Sequence, residues 1–249
     1  SMKLNLLIAP DFAPERFAGW HMLNTLLQKR ADVHIHLLTP ASAQEQSEQI
    51  ATQDVAIVYA NPFDAAAMIR DHGYVAVARP KGKSDEMVIS AKVDGAIQTL
   101  EDLKPGCTIA TADNRDVKLI GLRLLEAVDL TENDIEWHIT ETYQAAAREL
   151  IQGKADAAFF LSEVYHTLSR LTLSQMQILI ESDLSDITHV VLTKSDFAER
   201  QKFVDALLAL GESSEGQDVL KELGMPEGFE AMSEEDGEFM IDLMDTLMD

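Results

Sequence analysis

The sequence predicts a two-lobed α/β protein, and three features carry that expectation. Short apolar runs alternate with amphipathic stretches from Leu4 onward, the pattern of helices laid over a sheet. These runs fall into two βα blocks, one to about residue 90 and one from about residue 94 to 178. A strand then returns near His189, and the chain closes in helices. This order fits a discontinuous first lobe of residues 1–90 and 185–249, a second lobe of residues 94–178, and two extended crossings. A ligand cleft is expected between the lobes, where strand C-termini and helix N-termini meet.

Taken in order, Leu4–Ala9 is an apolar strand stopped at Pro10, followed by a helical pattern around Trp20–Gln28 with Leu23, Leu26 and Leu27 on one face. Val33–Leu38 alternates strictly, which places His34 and His36 together on a polar strand face. Asp54–Tyr59 is a buried-strand run ended by Asn61-Pro62, and Phe63–Asp71 a helix closed by His72-Gly73. Val75–Ala78 and Glu86–Lys92 are strands on either side of Pro80-Lys81-Gly82-Lys83. Lys104-Pro105-Gly106 turns the chain into a strand at Thr108–Thr111, and Val117–Ala127 carries a wide leucine-rich helical stripe. Ile135–Thr140 is a strand, Tyr143–Gln152 a helix stopped by Gly153, and Ala155–Leu161 a strand. Val164–Leu171 reads helical, Ile178–Glu181 extended and His189–Thr193 as the returning strand. Everything after Phe197 reads helical: Arg200–Gly211, Gly216–Leu223 and Glu235–Met248. In the last of these Phe239, Met240, Leu243, Met244 and Leu247 recur at three- and four-residue steps, a stripe for packing or for a partner. No internal repeat is visible.

Composition narrows the function classes. Of 249 residues 46% are apolar and 25% charged, values of a folded globular chain, and no apolar run reaches the length of a membrane span. Cys107 is the sole cysteine, which excludes an internal disulfide and a cysteine metal centre. A net charge of −23 repels nucleic acid and anionic lipid. The acidic excess concentrates after Ser182, and the last 24 residues contain no Lys or Arg, which suits a solubilising surface or a tail meeting a basic partner. The seven histidines show no zinc-site spacing, and neither a glycine-rich phosphate loop nor a nucleophile–base pattern is present. No catalytic residue, no metal and no cofactor are expected. Met2-Lys3-Leu4-Asn5 runs at once into the first strand, without a secretory apolar core, and Ser1 reads as the remnant of a removed tag. The compartment is periplasmic if a signal peptide was removed and cytoplasmic if Met2 is the native start.

Four segments carry a resemblance. They are Val58-Tyr59-Ala60-Asn61-Pro62-Phe63-Asp64 with Gly73–Arg79; Ile97–Gly106; Ala145-Ala146 running on to Gly153-Lys154-Ala155-Asp156-Ala157; and Glu215–Leu220 with Leu223-Gly224 and Gly228-Phe229. In this order the chain resembles the type 2 periplasmic binding proteins, specifically the phosphate/phosphonate-binding components of ABC importers. The resemblance spans nearly the whole chain. It implies a non-enzymatic solute-binding protein that closes on a small anionic ligand and hands it to an ABC permease or a sensor.

In phosphonate binders of this kind a Ser-Thr-Ser run opens a helix of the second lobe and meets the anion with hydroxyl and backbone N–H groups. The corresponding stretch here is Thr111-Ala112-Asp113-Asn114-Arg115-Asp116, and the family's Ser-His pair corresponds to Thr142-Tyr143. Lost hydroxyls and two added carboxylates point away from simple phosphate and alkylphosphonates. Arg115 is the candidate to clamp an anionic group. The expected ligand-binding set is Asp11, Phe12, Tyr59, Asn61, Phe63, Thr111, Asn114, Arg115, Asp116, Thr142, Tyr143 and Ser182, with Glu141 and Asp183 nearby. Competing readings on the same fold are a cytoplasmic enzyme and a ligand-sensing protein.

Overall fold

The computed structural model describes residues 3–10, 16–183 and 187–248. Its strands are β1 (Lys3–Ile8), β2 (His34–Leu38), β3 (Ile57–Ala60), β4 (Tyr74–Pro80), β5 (Met87–Lys92) and β6 (Thr108–Ala112), then β7 (Glu136–Thr140), β8 (Ala157–Leu161), β9 (Met176–Glu181), β10 (Val190–Lys194) and β11 (Phe229–Ala231). The helices are α1 (Phe17–Ala31), α2 (Ala43–Thr52), α3 (Pro62–Asp71), α4 (Arg115–Leu125) and α5 (Tyr143–Ile151). They continue with α6 (Ser162–Tyr165), α7 (Arg170–Ser174), α8 (Arg200–Leu208), α9 (Ser214–Glu222) and α10 (Glu234–Met248).

The chain divides into one unit of Ser1–Ser84 with Ser185–Thr246 and a second of Asp85–Leu184 with Leu247–Asp249. The first unit's sheet runs β11-β4-β10-β3-β1-β2, with β1 parallel to β2 and β3, and β10 antiparallel between β3 and β4. The second unit's sheet runs β7-β6-β8-β5-β9, with β6 parallel to β7 and β8, and β5 antiparallel to β8 and β9. Each sheet thus places five strands in the order second, first, third, inserted, fourth, and the first sheet adds β11 beyond its fourth. The inserted strand is in each case the first strand after the chain crosses over. This shared pairing order is a repeat of topology that unrelated side chains satisfy, so the sequence shows no trace of it.

The pairing also moves the expected boundary. β5 bonds to β8 and β9, so residues 85–90 go with the second unit, which also runs past residue 178 to Leu184.

Helices cover both faces of the second sheet because adjacent residues of β8 point opposite ways. Phe160 and Phe159 are both fully buried. Phe160 faces α5, packing with Ala146, Ala147 and Leu150. Phe159 faces α4 so closely that a Cβ on Gly121 would lie 2.3 Å from its ring. In the first unit Leu4, Leu6 and Ile8 of β1 pack with Trp20, Leu23, Leu26 and Leu27 of α1. His34 and His36 lie exposed while Ile35 is buried, as the alternation requires.

Four segments differ from the sequence expectation. α2 has no apolar stripe and buries only Gln46. Its signal is a cap: Ser42 Oγ accepts from Glu45 N at 3.1 Å, and Glu45 accepts from Ala41 N at 3.0 Å. Val164–Leu171 divides into α6 and α7. β11 interrupts the C-terminal helices because Phe229, Glu230 and Ala231 pair with Pro80, Arg79 and Ala78. In α10 the buried face is Gly237, Met240 and Met244, whereas Phe239 is 57% exposed, one step off that face.

Candidate functional site

In the second unit the C-terminal ends of β6, β7, β8 and β9, and the start of the antiparallel β5, all lie at one sheet edge. β6 delivers Asn114 to the N-cap of α4, where its side-chain oxygen accepts from Val117 N at 3.2 Å. β7 delivers Thr142 to the N-cap of α5, where its hydroxyl accepts from Ala145 N at 3.0 Å. Two helix N-termini thus open on this edge, each presenting backbone N–H groups and the positive end of a helix dipole.

Their first turns differ. At α4, Asn114 and Asp116 are buried and Arg115 is exposed, so a carboxylate of the chain itself occupies the favourable end of the dipole. At α5, Thr142 and Gln144 are exposed and Tyr143 is half-buried, its ring 6.0 Å from Phe160. Thr111 is buried and donates to Phe159 O at 3.2 Å, a bond that ties β6 to β8. Asp113, Glu141 and Asp183 are exposed along the same edge.

Beside these groups lies a cluster that sequence reasoning did not assemble. Ser182 is buried; its hydroxyl accepts from Met87 N at 2.8 Å and donates to the Glu86 carboxylate. Ser162 Oγ donates to Glu181 Oε1 at 2.8 Å, and His166 Nε2 reaches the same oxygen at 2.8 Å. The bond from His166 holds the Glu181 carboxyl below its usual range, with Ser162 contributing further. Residues 86, 162, 166, 181 and 182 meet only because β5, β8 and β9 are neighbours, so no local spacing announces them. Ser182 joins two strand ends with a hydroxyl fully engaged by the protein.

The first unit has a corresponding edge. Asn61 is buried at the N-cap of α3, accepting from Asp64 N at 2.8 Å and donating to the Asp64 carboxylate at 2.9 Å. Gln46 of α2 donates to the same carboxylate at 3.2 Å. Tyr59 is 5% exposed and sits in a ring stack, 4.6 Å from Trp20 and 5.2 Å from His189. Phe63 is 2% exposed. The stack binds α1, β3 and the start of β10 together immediately below the strand ends, which fixes the base of this edge. Asp11 and Phe12 lie outside the described residues.

Of the expected set, Asn114, Arg115, Asp116, Thr142, Tyr143 and Ser182 thus share the second unit's edge with buried Thr111, while Tyr59, Asn61 and Phe63 gather at the first unit's edge. Cys107 lies at the end of β6 opposite the second unit's edge, where burial and nearby Asp156 push its thiol up and keep it protonated. Among the described residues no group of three or more His, Cys, Asp and Glu could hold a metal ion.

A family model described as the periplasmic substrate-binding protein of phosphonate ABC transporters matches residues 6–236. The chain belongs to this family. Its members are substrate-binding proteins that take up small molecules alongside ABC permease components. No helix among the described residues is long and apolar enough to cross a membrane.

Solved structures share the fold at low sequence identity. The structure of XAC2383 from Xanthomonas citri bound to ATP aligns at TM-score 0.80 and 13% identity, covering 100% of this chain and 98% of that one. PhnD1 from Prochlorococcus marinus in complex with methylphosphonate aligns at TM-score 0.80 and 12% identity, covering 99% and 98%. The periplasmic aliphatic sulphonate binding protein SsuA from Escherichia coli aligns at TM-score 0.70 and 18% identity, covering 100% and 92%. No curated protein sequence matches the chain.

Proposed function

We propose that this chain is the solute-binding component of an ABC importer and captures a small organic monoanion, acting in the periplasm beside a membrane permease. The observation that carries the ligand class is the second unit's edge. Two capped helix N-termini open there beside Arg115, among Asp113, Glu141 and Asp183. The α5 N-terminus, which no acidic residue occupies, and the guanidinium attract an anionic head group. The surrounding carboxylates repel it in proportion to its charge, so a singly charged sulfonate or carboxylate is favoured over a doubly charged phosphate. Arg115, Thr142 and Tyr143 are proposed to meet the head group. The non-enzymatic reading is supported by the family, whose members bind substrates and do not convert them.

Mass spectrometry of small molecules released from the purified protein identifies the class directly. Calorimetry with methanesulfonate, acetate, methylphosphonate and inorganic phosphate then ranks the head groups. The monoanions are expected to bind and phosphate to give no saturable heat at up to ~1 mM, a ceiling of about −4 kcal/mol. Arg115→Ala should weaken the bound monoanion at least about tenfold, ~1.4 kcal/mol. Tight phosphate binding, or an affinity indifferent to Arg115→Ala, refutes the head-group assignment.

A further inference from the structure

The first unit holds a half-open cavity of about 700 Å³ toward the end of its sheet opposite the candidate binding edge. One wall is Val75, Ala76 and Val77 in the early half of β4, opposite Thr193 and Leu192, whereas the binding edge lies where Ala60 meets Val190. The cavity exists because β11 is short. It pairs with Ala78–Pro80 alone, Met232 adds one bond to Val77 O at 3.0 Å, and the chain then turns into α10. The rest of the β4 edge is roofed by side chains of α8 and α10.

Those two helices give the cavity its chemistry. α8 presents Arg200, Val204 and Leu208, one face at four-residue steps. α10 presents Glu234, Glu238 and Ile241, again one face. The apolar members are Val75, Val77, Val204, Leu208 and Ile241, and the lining also holds one guanidinium and two carboxylates. Among the described residues no ion pair joins Arg200 to either carboxylate, so the opposite charges line one cavity without neutralising each other directly. The roof is also adaptable: α10 packs through Met240 and Met244, unbranched side chains that repack at low cost.

We infer that this cavity is a second ligand site, for a zwitterionic apolar molecule of dipeptide size. Arg200 receives its carboxylate, Glu234 and Glu238 receive its ammonium group, and the valines, Leu208 and Ile241 receive its aliphatic side chains. The volume lies within the range of small-molecule sites. Glu234 and Glu238 are exposed at the cavity's open side, and Arg200, which also donates to Ser195 O at 3.4 Å, is half-buried. A ligand carrying both signs of charge thus meets complementary groups where a singly charged one meets only half of them.

The test uses the full chain and L-leucyl-L-leucine, followed by calorimetry and thermal shift. Saturable binding is expected, unaffected by Arg115→Ala, which separates this site from the one proposed above. N-acetyl-leucyl-leucine lacks the ammonium group and leucyl-leucinamide lacks the carboxylate; each should bind at least about tenfold more weakly. Arg200→Gln should abolish the difference between the dipeptide and its amide, and the double substitution Glu234→Gln with Glu238→Gln the difference between the dipeptide and its N-acetyl form. Val204→Trp fills the cavity and should remove binding; Val204→Phe with unchanged circular dichroism serves if the larger residue prevents folding. No saturable binding to the folded wild-type chain, or equal binding of all three compounds, overturns the inference. Binding that Arg115→Ala removes and the Arg200 and Val204 variants leave intact overturns it as well, by assigning the dipeptide to the other site.

Discussion

Gly121→Ala probes a close helix-to-sheet contact in the second unit. On a helix, replacing glycine by alanine ordinarily stabilises by about 1 kcal/mol, because the backbone loses less freedom on folding. At Gly121 the added Cβ would lie 2.3 Å from Phe159 Cε2, 2.6 Å from Cζ and 2.8 Å from Cδ2. Comfortable carbon–carbon separation is about 3.5–4.0 Å, so ring and helix must part by more than about 1 Å. The ring cannot swing away, because Phe159 is fully buried with Trp137 edge-on at 5.6 Å. Overpacking of this kind costs about 1–3 kcal/mol, so the propensity gain is cancelled or exceeded, leaving a net loss of up to ~2 kcal/mol. Urea unfolding followed by far-UV circular dichroism measures it. Combined with Phe159→Leu, which vacates the ring's volume, the alanine should recover its helical gain, a coupling of at least about 1 kcal/mol. Because α4 also carries Asn114 and Arg115, ligand affinity should fall with the single variant and recover in the double. A Gly121→Ala protein more stable than wild type by about 1 kcal/mol would refute the packing argument.

Three further outcomes follow from side-chain hydrogen bonds and the C-terminus. Tyr74 donates to Val55 O at 2.7 Å, so Tyr74→Phe strands a buried carbonyl and should cost about 1–3 kcal/mol in urea unfolding. Burial and Asp54 push the Tyr74 hydroxyl up from 10.0 to about 12, so its contribution is complete below pH 10 and is lost as pH rises toward 12. The phenylalanine variant should lack that alkaline loss, and an unchanged alkaline limb would contradict it. Glu181 is depressed below 4.5 by His166 and Ser162, so its contribution is present above that pH and fades as pH falls through the lowered value. Glu181→Gln should flatten the acid limb of the stability curve, and an identical limb would show that the pair contributes nothing. Deleting residues 235–249 removes buried Met240 and Met244 and the Arg70–Asp245 ion pair, so the melting temperature should fall by several degrees. An unchanged melting temperature would mean that the helix adds nothing to the fold.

Local patterns in the sequence determined most of the elements, because a strand of period two or a helix of period 3.6 is written in consecutive residues. Leu4–Ala9, the alternation His34-Ile35-His36, and the runs at Asp54–Tyr59 and Ala155–Leu161 each declare their state and their buried side. The two-lobed α/β class and the family resemblance were legible on the same footing. Elements without an apolar face were not. α2 is held by its Ser42–Glu45 cap and a single buried glutamine, and β11 by three pairs with a strand about 150 residues earlier.

Pairing order was decided by tertiary structure alone. Glu86–Lys92 reads as a strand in the sequence, but its membership in the second sheet depends on hydrogen bonds to residues 158–161 and 176–181. The cluster of Glu86, Ser162, His166, Glu181 and Ser182 follows from that pairing, as does the ring stack of Trp20, Tyr59 and His189 from the insertion of β10 beside β3. The physical reason is one of range. Backbone conformation and facing direction are set by near neighbours, whereas which strands adjoin, and so which side chains meet, is set by burying all the apolar faces at once.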